Sequence, residues 1–199
     1  MLAKTISLRT PLIEYIWPEK SLVRDVLLVL GMSLVLALSA QIAIPLPFSP
    51  VPVTLQTLVV FLAGAVLGSR LGTLSVLAYL SEGALGLPFF AKGGAGLTYF
   101  RGVTGGYLLG FIAMAFVVGL LVERGLGRKF STMVLAMGIG NIILYCFGLP
   151  WLATVLNISL SKAVILGLVP FIPGDLYKVG VASVLLPVLW SFFRNPKDY

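Results

Sequence analysis

The chain has 199 residues, of which 59% are hydrophobic and only 11% are charged, and its mean hydropathy is +1.06. Soluble domains carry about a quarter charged residues, so this composition excludes a soluble enzyme and predicts an all-α integral membrane protein. The net charge of +7 indicates Lys- and Arg-rich cytoplasmic loops, and no nucleic-acid partner is expected. Because the chain has no His and a single cysteine, Cys146, we expect no internal disulfide, no metal site and no cofactor.

The chain begins with a segment that mixes charged and apolar residues, residues 1–22. Its charges interrupt any apolar core, so we expect a cytoplasmic, interfacial segment and not a signal peptide. The first apolar run, residues 23–44, predicts a spanning helix. The prolines at positions 45, 47, 50 and 52 then exclude a helix and predict an extended, uncharged loop. Small residues spaced by four on the first run let another helix approach closely: Ser33/Ala37 and Ser39/Ala43.

Five further apolar runs predict the remaining spans of a six-helix membrane domain over residues 23–193, followed by a cytoplasmic tail at 194–199. The stretch 88–106 is rich in glycine and aromatic residues and has no helical period. Residues 151–169 are apolar with a few polar positions, and predict an interfacial or re-entrant helix. We expect the fifth span to end at Pro150. The five runs are residues 54–68, 71–87, 106–122, 131–149 and 175–193.

The distribution of Lys and Arg predicts the orientation, because these residues concentrate in cytoplasmic loops. With six spans and a cytoplasmic N-terminus, ten of the 14 Lys and Arg residues fall on the inner side and four on the outer side. We therefore expect a multi-pass protein of the cell membrane with both termini in the cytoplasm. The proline-rich loop, the glycine-rich stretch and the start of the sixth run then share the outer side. Irregular backbone at membrane depth is tolerated only where it lines a cavity or packs in protein, so we predict a cavity that opens outward.

One short stretch, Pro170-Phe-Ile-Pro-Gly-Asp-Leu-Tyr-Lys178, holds a carboxylate and an ammonium in an otherwise apolar part of the chain. Asp175 and Lys178 are three residues apart at the start of the sixth run, so they lie on one helix face. An ionisable residue within a span costs roughly 2.5–3.5 kcal/mol on insertion scales, which makes the pair a candidate binding site. The alternative is that Asp175 caps the helix and Lys178 extends to the membrane interface.

Six other side chains are candidate partners of a ligand or of this pair. The tyrosines among them are equally typical of a membrane-interface belt or of the core, and the asparagine of a hydrogen bond between helices. The arginine is equally suited to lipid headgroups. The six are Gln56, Tyr99, Arg101, Tyr107, Asn141 and Tyr145.

The sequence excludes several mechanisms. It contains no Gly-x-x-x-x-Gly-Lys-Ser/Thr motif, so the chain cannot hydrolyse ATP by itself. It has no series of membrane carboxylates for a proton relay, and one Asp near one Lys is not the acid–base set that a membrane hydrolase needs. Recognition chemistry remains: Asp175 can accept from N–H donors, and Lys178 can donate to a carbonyl or carboxylate.

The stretch Pro170–Lys178 resembles the PFxPGDxxK signature of the BioY family, the biotin-binding S-components of energy-coupling-factor transporters. The chain departs from that family's pattern at Val103, where a proline is expected, and at Glu82, where an apolar residue is usual. The resemblance covers about residues 23–193. Three other stretches agree in order and spacing: Pro52-Val-Thr-Leu-Gln-Thr57, Gly102-Val-Thr-Gly-Gly-Tyr-Leu-Leu-Gly-Phe111 and Tyr145-Cys-Phe-Gly-Leu-Pro-Trp151.

The resemblance implies a six-helix protein that binds biotin from the outer side and works with a transmembrane coupling subunit and two cytoplasmic ATPases. It also implies that the first span contacts the coupling subunit, through Ser33, Ala37, Ser39 and Ala43. An autonomous secondary transporter of biotin or another small polar solute is the main alternative, and a membrane enzyme acting on lipid is a weaker one. We expect the proline-rich loop to be a lid over the ligand, with a rigid connector as the alternative.

Overall fold

The structure, a computed structural model, describes residues 10–193, so the ends of the predicted terminal segments, residues 1–9 and 194–199, lie outside it. The predicted helical fold is confirmed, with one small two-stranded sheet added. In the described range the helices are α1 Ile13–Ile16, α2 Leu22–Gln41, α3 Gln56–Ala84, α4 Gly105–Glu123, α5 Phe130–Leu156, α6 Leu160–Gly167 and α7 Ile172–Phe193. The strands are β1 Ala43–Leu46 and β2 Ser49–Thr54, and short 3-10 helices span Ala91–Gly93, Leu97–Arg101 and Val169–Phe171.

Helix α3 folds back on itself at Gly68, which has φ 85° and ψ 177°. Glycine adopts a positive φ readily because it has no Cβ. The two halves, residues 56–67 and 69–84, run antiparallel, since the side chain of Gln56 at the start of the first half bonds Tyr79 near the end of the second. The predicted break between the second and third runs is confirmed, a residue earlier than the turn expected from the sequence.

Close helix packing depends on glycine at two points along α3. A Cβ on Gly72 would lie 2.6 Å from the carbonyl oxygen of Ala63, so the two halves of α3 are in backbone contact there. A Cβ on Gly64 would lie 2.5 Å from the carbonyl oxygen of Ala115, so α3 also meets α4 closely. Small residues allow this approach, which strengthens van der Waals packing where lipid provides no hydrophobic driving force between helices.

Within residues 10–193, five helical stretches are long and apolar enough to cross a membrane. One of them, α3, supplies two of the six predicted spans because its halves are antiparallel. The last stretch, Leu160–Phe192, joins α6 to α7 through a 3-10 turn. Each of the six predicted runs is therefore present as helix over most of its length, although the first helix ends at Gln41 and residues 43–44 belong to β1.

The prediction that Pro150 ends the fifth span is wrong, because α5 continues through it to Leu156. Pro150 has no N–H to donate to the carbonyl of Cys146, four residues earlier, and membrane helices tolerate such a proline where the surroundings satisfy the freed group. The Thr154 hydroxyl bonds a different carbonyl, that of Pro150 itself, at 2.9 Å. The helix stops at Asn157, whose backbone is left-handed with φ 52°. Of the helix predicted over residues 151–169, only the short α6 is a separate element.

The proline-rich loop is extended, as predicted, and its two arms pair as an antiparallel hairpin in which Ala43 lies opposite Thr54. Prolines are acceptable in such a ribbon because both strands are edges. The hydroxyl of Ser49, near the tip, donates to the carbonyl of Leu166 in α6 at 2.7 Å. The hairpin is therefore held against α6.

The small residues of α2 pack inside the chain. Ser33 is 2% exposed, Ala37 4% and Ser39 7%, and both hydroxyls donate to backbone carbonyls one turn earlier. These three residues therefore offer little surface to a coupling subunit, and their expected contact with it stays a prediction. Ala43 lies on β1, is half-buried, and its expected contact stays untested. The outward face of α2 consists of larger apolar residues, including Leu27, Leu30, Leu34 and Leu38.

The connecting segments gather at two ends of the bundle. At one end the bend in α3 meets the α4–α5 turn, where the backbone N–H of Ser69 donates to Glu123 at 2.7 Å. The Arg128 guanidinium lies 3.9 Å from the ring centre of Trp190 at the same end. The hairpin, residues 85–104, α6 and the start of α7 lie at the other end. The connecting segments thus lie alternately at the two ends of the bundle, as six spans require. The orientation of the two ends in the membrane stays a prediction.

Candidate functional site

A cavity lies between the hairpin, the glycine-rich stretch and the helix ends at that second end of the bundle. The empty space among its walls is about 560 Å³, its opening to solvent included. Apolar side chains such as Leu108, Phe111 and Leu144 form much of the wall, and the polar groups of the wall come from nine residues. They are Thr54, Gln56, Thr57, Tyr99, Thr104, Tyr107, Tyr145, Asp175 and Lys178.

Asp175 and Lys178 lie side by side in this wall, although they are only 8% and 6% exposed. The Lys178 ammonium is 3.4 Å from Asp175 Oδ1 and donates to Thr57 Oγ1 at 2.7 Å. The second carboxylate oxygen, Oδ2, accepts from the Tyr145 hydroxyl at 2.5 Å. Side chains from α3, α5 and α7 therefore form one polar cluster in a mostly apolar wall.

The start of α7 explains how the pair reaches the cavity. The helix begins at Ile172 with Pro173 in its first turn, where the missing N–H of a proline has no intrahelical partner to lose. Asp175 and Lys178 then follow one turn apart on the face toward α3 and α5. Their mutual attraction offsets part of the cost of desolvating two charges. The capping and snorkelling alternative does not match this geometry, because both side chains turn inward to side-chain partners.

A second set of hydrogen bonds fixes the start of α3. The Gln56 amide donates to the Tyr79 hydroxyl at 2.6 Å, and its carbonyl oxygen accepts from the Thr54 hydroxyl at 3.1 Å. The Tyr79 hydroxyl donates in turn to the carbonyl of Phe89 at 3.3 Å. These bonds connect β2, both halves of α3 and the glycine-rich stretch, so Gln56 holds three parts of the wall together.

Two tyrosines form the aromatic side of the cavity. The rings of Tyr107 and Tyr145 meet edge to face at 89°, with centroids 6.3 Å apart. The Tyr107 hydroxyl donates to the carbonyl of Gly167 at 2.9 Å and so ties α4 to the end of α6. Gly148 makes room for this ring, because a Cβ there would overlap it. Both tyrosine hydroxyls are therefore already oriented by the protein.

The glycine-rich stretch forms the rim of the cavity. The buried Phe90 ring stacks on Tyr99 at 4.7 Å and meets Phe100 edge-on at 5.4 Å. Gly93 and Gly96 have φ of +72° and +84°, which lets the chain turn tightly around this aromatic cluster. Burial raises the pKa of the Tyr99 hydroxyl, so it stays a neutral hydrogen-bonding group at the rim.

The structure brings six of the eight predicted contact residues to the cavity and leaves out two. Arg101 is exposed at the end of a 3-10 helix, and Asn141 is half-buried on α5 outside the lining. The structure places those two outside the cavity lining, and a direct contact of any of the eight with a ligand stays a prediction. The six are Gln56, Tyr99, Tyr107, Tyr145, Asp175 and Lys178.

Sequence reasoning missed Thr57, the hydroxyl partner of Lys178, and Tyr79, the partner of Gln56. It also missed Thr104 and Phe171 in the lining. Thr57, Thr104 and Phe171 all lie inside the stretches that carry the family resemblance. Their place in those stretches was the one feature of the sequence that could have marked them as site residues. Tyr79 lies in an apolar run with nothing in its neighbourhood to mark it.

The geometry suits recognition of a small molecule with a polar head and an apolar body. Asp175 presents an acceptor and Lys178 a donor, one helical turn apart, and both are held by neighbours before any ligand arrives. Preorganised groups of this kind lose little entropy on binding. Among residues 10–193, no group of three or more His, Cys, Asp or Glu side chains could hold a metal ion.

The chain is similar to several known proteins. The chain is 42% identical over 167 residues to the biotin transporter BioY of Rhizobium etli, which covers 80% of this chain and 89% of that protein. It is 43% identical over 146 residues to the biotin transporter BioY of Thermotoga maritima, covering 71% and 82%. The fold is similar to a crystal structure of the S-component for biotin from an ECF-type ABC transporter, with a TM-score of 0.77 and 30% identity over 85% of this chain and 92% of that one.

The family comparison extends over nearly the whole chain. The BioY family model matches residues 9–195, a range that contains all four stretches on which the resemblance was based and the whole cavity wall. The resemblance inferred from the sequence is confirmed. The chain belongs to the BioY family.

Proposed function

We propose that this protein is the biotin-binding membrane subunit of a biotin uptake system. It takes up biotin from the outer side of the cell membrane into the cavity beside α7. The observation that carries the proposal is the Asp175–Lys178 pair, a preorganised acceptor and donor in a mostly apolar cavity. The names of the relatives, biotin transporters BioY, support the choice of ligand.

The chemistry of biotin fits this wall. Its ureido group presents N–H, C=O and N–H in a row, which suits a carboxylate acceptor and an ammonium donor one turn apart. Tyr145 and Thr57 keep those two groups in position. The fused rings and the valeryl chain of biotin are apolar and suit a wall that contains Leu108 and Phe111.

Energy for uptake comes from other chains in this proposal. The sequence has no nucleotide-binding motif, which supports a separate motor of two cytoplasmic ATPases joined by a transmembrane coupling subunit. The similar solved structure is described as an S-component from an ECF-type ABC transporter, which supports the same assembly. The protein itself then catalyses no reaction, and it crosses the membrane with both termini in the cytoplasm.

Uptake by reconstituted vesicles tests the proposal against an autonomous transporter. Vesicles that contain this chain alone should bind biotin without concentrating it inside. Adding the coupling subunit and ATPases with ATP should produce uptake, and Asp175→Asn should reduce it. Concentrative uptake by the chain alone, driven by an ion gradient, would overturn the S-component assignment and favour the secondary transporter.

A further inference from the structure

A second cavity, here termed the vestibule, adjoins the binding cavity. The two share Pro52, Ala91, Tyr99 and Thr104 in their walls. Neither Asp175 nor Lys178 lines the vestibule, so it lies on a side of the binding cavity away from the charged pair. Among its lining residues in the described part of the chain, Lys92 is the only charged one.

Lys92 has an unusual backbone, with φ 59° and ψ 34° in the left-handed region. Within residues 10–193 the one other non-glycine residue with a positive φ is Asn157, which ends a helix. A residue with a Cβ is disfavoured in this region, and such outliers persist where the surroundings hold them and are often functional. Contacts of the neighbouring residues must therefore hold Lys92 in this backbone conformation.

The side chain of Gln41 holds the turn from both sides. Its amide donates to the carbonyl of Phe90 at 3.3 Å, and its carbonyl oxygen accepts from the backbone N–H of Gly93 at 3.1 Å. Lys92 lies between these two anchored residues, so the turn keeps it at the vestibule. Gln41 is thus a positioning residue for Lys92.

The ammonium of Lys92 is available to a ligand. The residue is exposed, and in the described part of the chain no ion pair or side-chain hydrogen bond joins it to another residue. An exposed ammonium beside an otherwise uncharged opening attracts an anion that reaches that opening.

Biotin is an elongated molecule with polar groups at both ends, so it suits two adjoining cavities. With the ureido group at Asp175 and Lys178, the flexible valeryl chain is free to extend along the shared wall toward the vestibule, where Lys92 lies. We infer that Lys92 recognises the carboxylate of bound biotin and makes this protein selective for the free acid over neutral carboxyl derivatives. The inference rests on the proposed function, and it adds a selectivity residue to the same site.

Equilibrium binding of biotin and of biotinamide, which has the same body and a neutral end, tests this assignment. At low salt the wild-type protein should prefer biotin by about three- to tenfold, as expected for a partly exposed charge-assisted contact. Lys92→Gln and Lys92→Gly should weaken biotin binding to the level of biotinamide and leave biotinamide binding unchanged. The glycine variant suits the positive φ, so it separates loss of charge from loss of loop structure. Lys92→Arg should keep the preference.

The exposed cation Lys162 on α6, which lines neither cavity, provides the matched control. Lys162→Gln should bind both compounds as wild type does, and high salt should reduce the wild-type preference by screening. Equal weakening of both compounds in Lys92→Gln and Lys92→Gly would overturn the inference and leave a purely structural role. An unchanged preference in these variants would overturn it as well. Failure of the wild-type protein to bind either compound would instead refute the proposed function and, with it, this role.

Discussion

Replacing Asp175 by asparagine keeps the side-chain volume but changes the hydrogen-bonding capacity of the cluster. The carboxylate now accepts from Tyr145 at 2.5 Å through one oxygen and faces the Lys178 ammonium at 3.4 Å through the other. An amide has one acceptor oxygen and one donor nitrogen, so it can accept from the ammonium through its oxygen only if its NH2 faces Tyr145, whose hydroxyl must then accept instead of donate. The ammonium also loses its only counter-charge within 4 Å among the described residues.

The magnitude follows from the burial of the pair. Hydrogen bonds to charged groups contribute about 1.5–3 kcal/mol, so losing the acceptor for a ureido N–H should weaken biotin binding by about 10- to 150-fold. Removing one partner of a buried ion pair costs about 3–5 kcal/mol of folding stability, because the other charge is left uncompensated. Asp175→Asn should therefore lower both the affinity and the melting temperature.

A double-mutant cycle separates the two effects. Lys178→Met removes the ammonium and also lowers affinity, since it deletes the donor beside Thr57. In the double variant Asp175→Asn/Lys178→Met no unpaired charge remains, so its loss of stability should be smaller than the sum of the single losses by more than about 1 kcal/mol. Affinity should stay low, because both anchors are gone.

The assay is titration of biotin into purified protein in lipid nanodiscs, with thermal unfolding measured on the same samples. Ser191→Ala, which removes an exposed hydroxyl on the same helix outside the cavity, is the matched control and should behave as wild type. Unchanged biotin affinity in both Asp175→Asn and Lys178→Met would refute the site. Strictly additive stability losses would refute the view that the two charges compensate each other.

Three further predictions concern packing and motion around the cavity. Ala37→Trp should lower the melting temperature by overpacking a buried site, at about 1–3 kcal/mol or more, measured by thermal unfolding. Gly148→Val should displace the Tyr107 ring and reduce biotin affinity in the same titration, whereas Gly138→Val, which faces open space, should leave affinity unchanged. If the β-hairpin is a lid, biotin should narrow the distance distribution between spin labels at Phe48 and Thr98, measured by pulsed electron paramagnetic resonance.

Each of these has a contrary result. A stable, biotin-binding Ala37→Trp protein that fails only to assemble with a coupling subunit would restore the outward role of that residue. Equal behaviour of the Gly148 and Gly138 variants would show that the ring position is not limiting. A spin-label distribution that is the same with and without saturating biotin would show that the hairpin is a rigid connector, held by its Ser49 bond to α6.

The spanning helices could be predicted because a lipid environment requires every backbone group to be satisfied within the segment, which produces long apolar runs. The charged pair of α7 could be predicted for the same reason, since Asp175 and Lys178 are costly there without a role. The continuation of α5 through Pro150 could not be predicted, because proline commonly ends a helix but is also tolerated inside a membrane helix. A rule based on the local sequence alone therefore places the end of this helix too early.

The burial of Ser33 and Ala37 inside the bundle also could not be predicted from the sequence. In a soluble helix an apolar face marks the core, but α2 is apolar on all sides, so hydropathy does not distinguish a lipid-facing side from a packed one. Thr57 was missed for a related reason, because a hydroxyl at a helix start is common and nothing local indicates a lysine partner 121 residues away. A hydrogen bond between residues so far apart in the sequence can be identified only from the folded structure.

The most direct test of the central claim is equilibrium binding of radiolabelled biotin to the purified protein in nanodiscs, free of any ATPase or coupling subunit. Wild-type protein should show saturable binding at one site per chain, and Asp175→Asn/Lys178→Met should show almost none while remaining folded. Absence of saturable binding to the wild-type protein, or the same binding in the folded double variant, would contradict the assignment of this cavity as the biotin site.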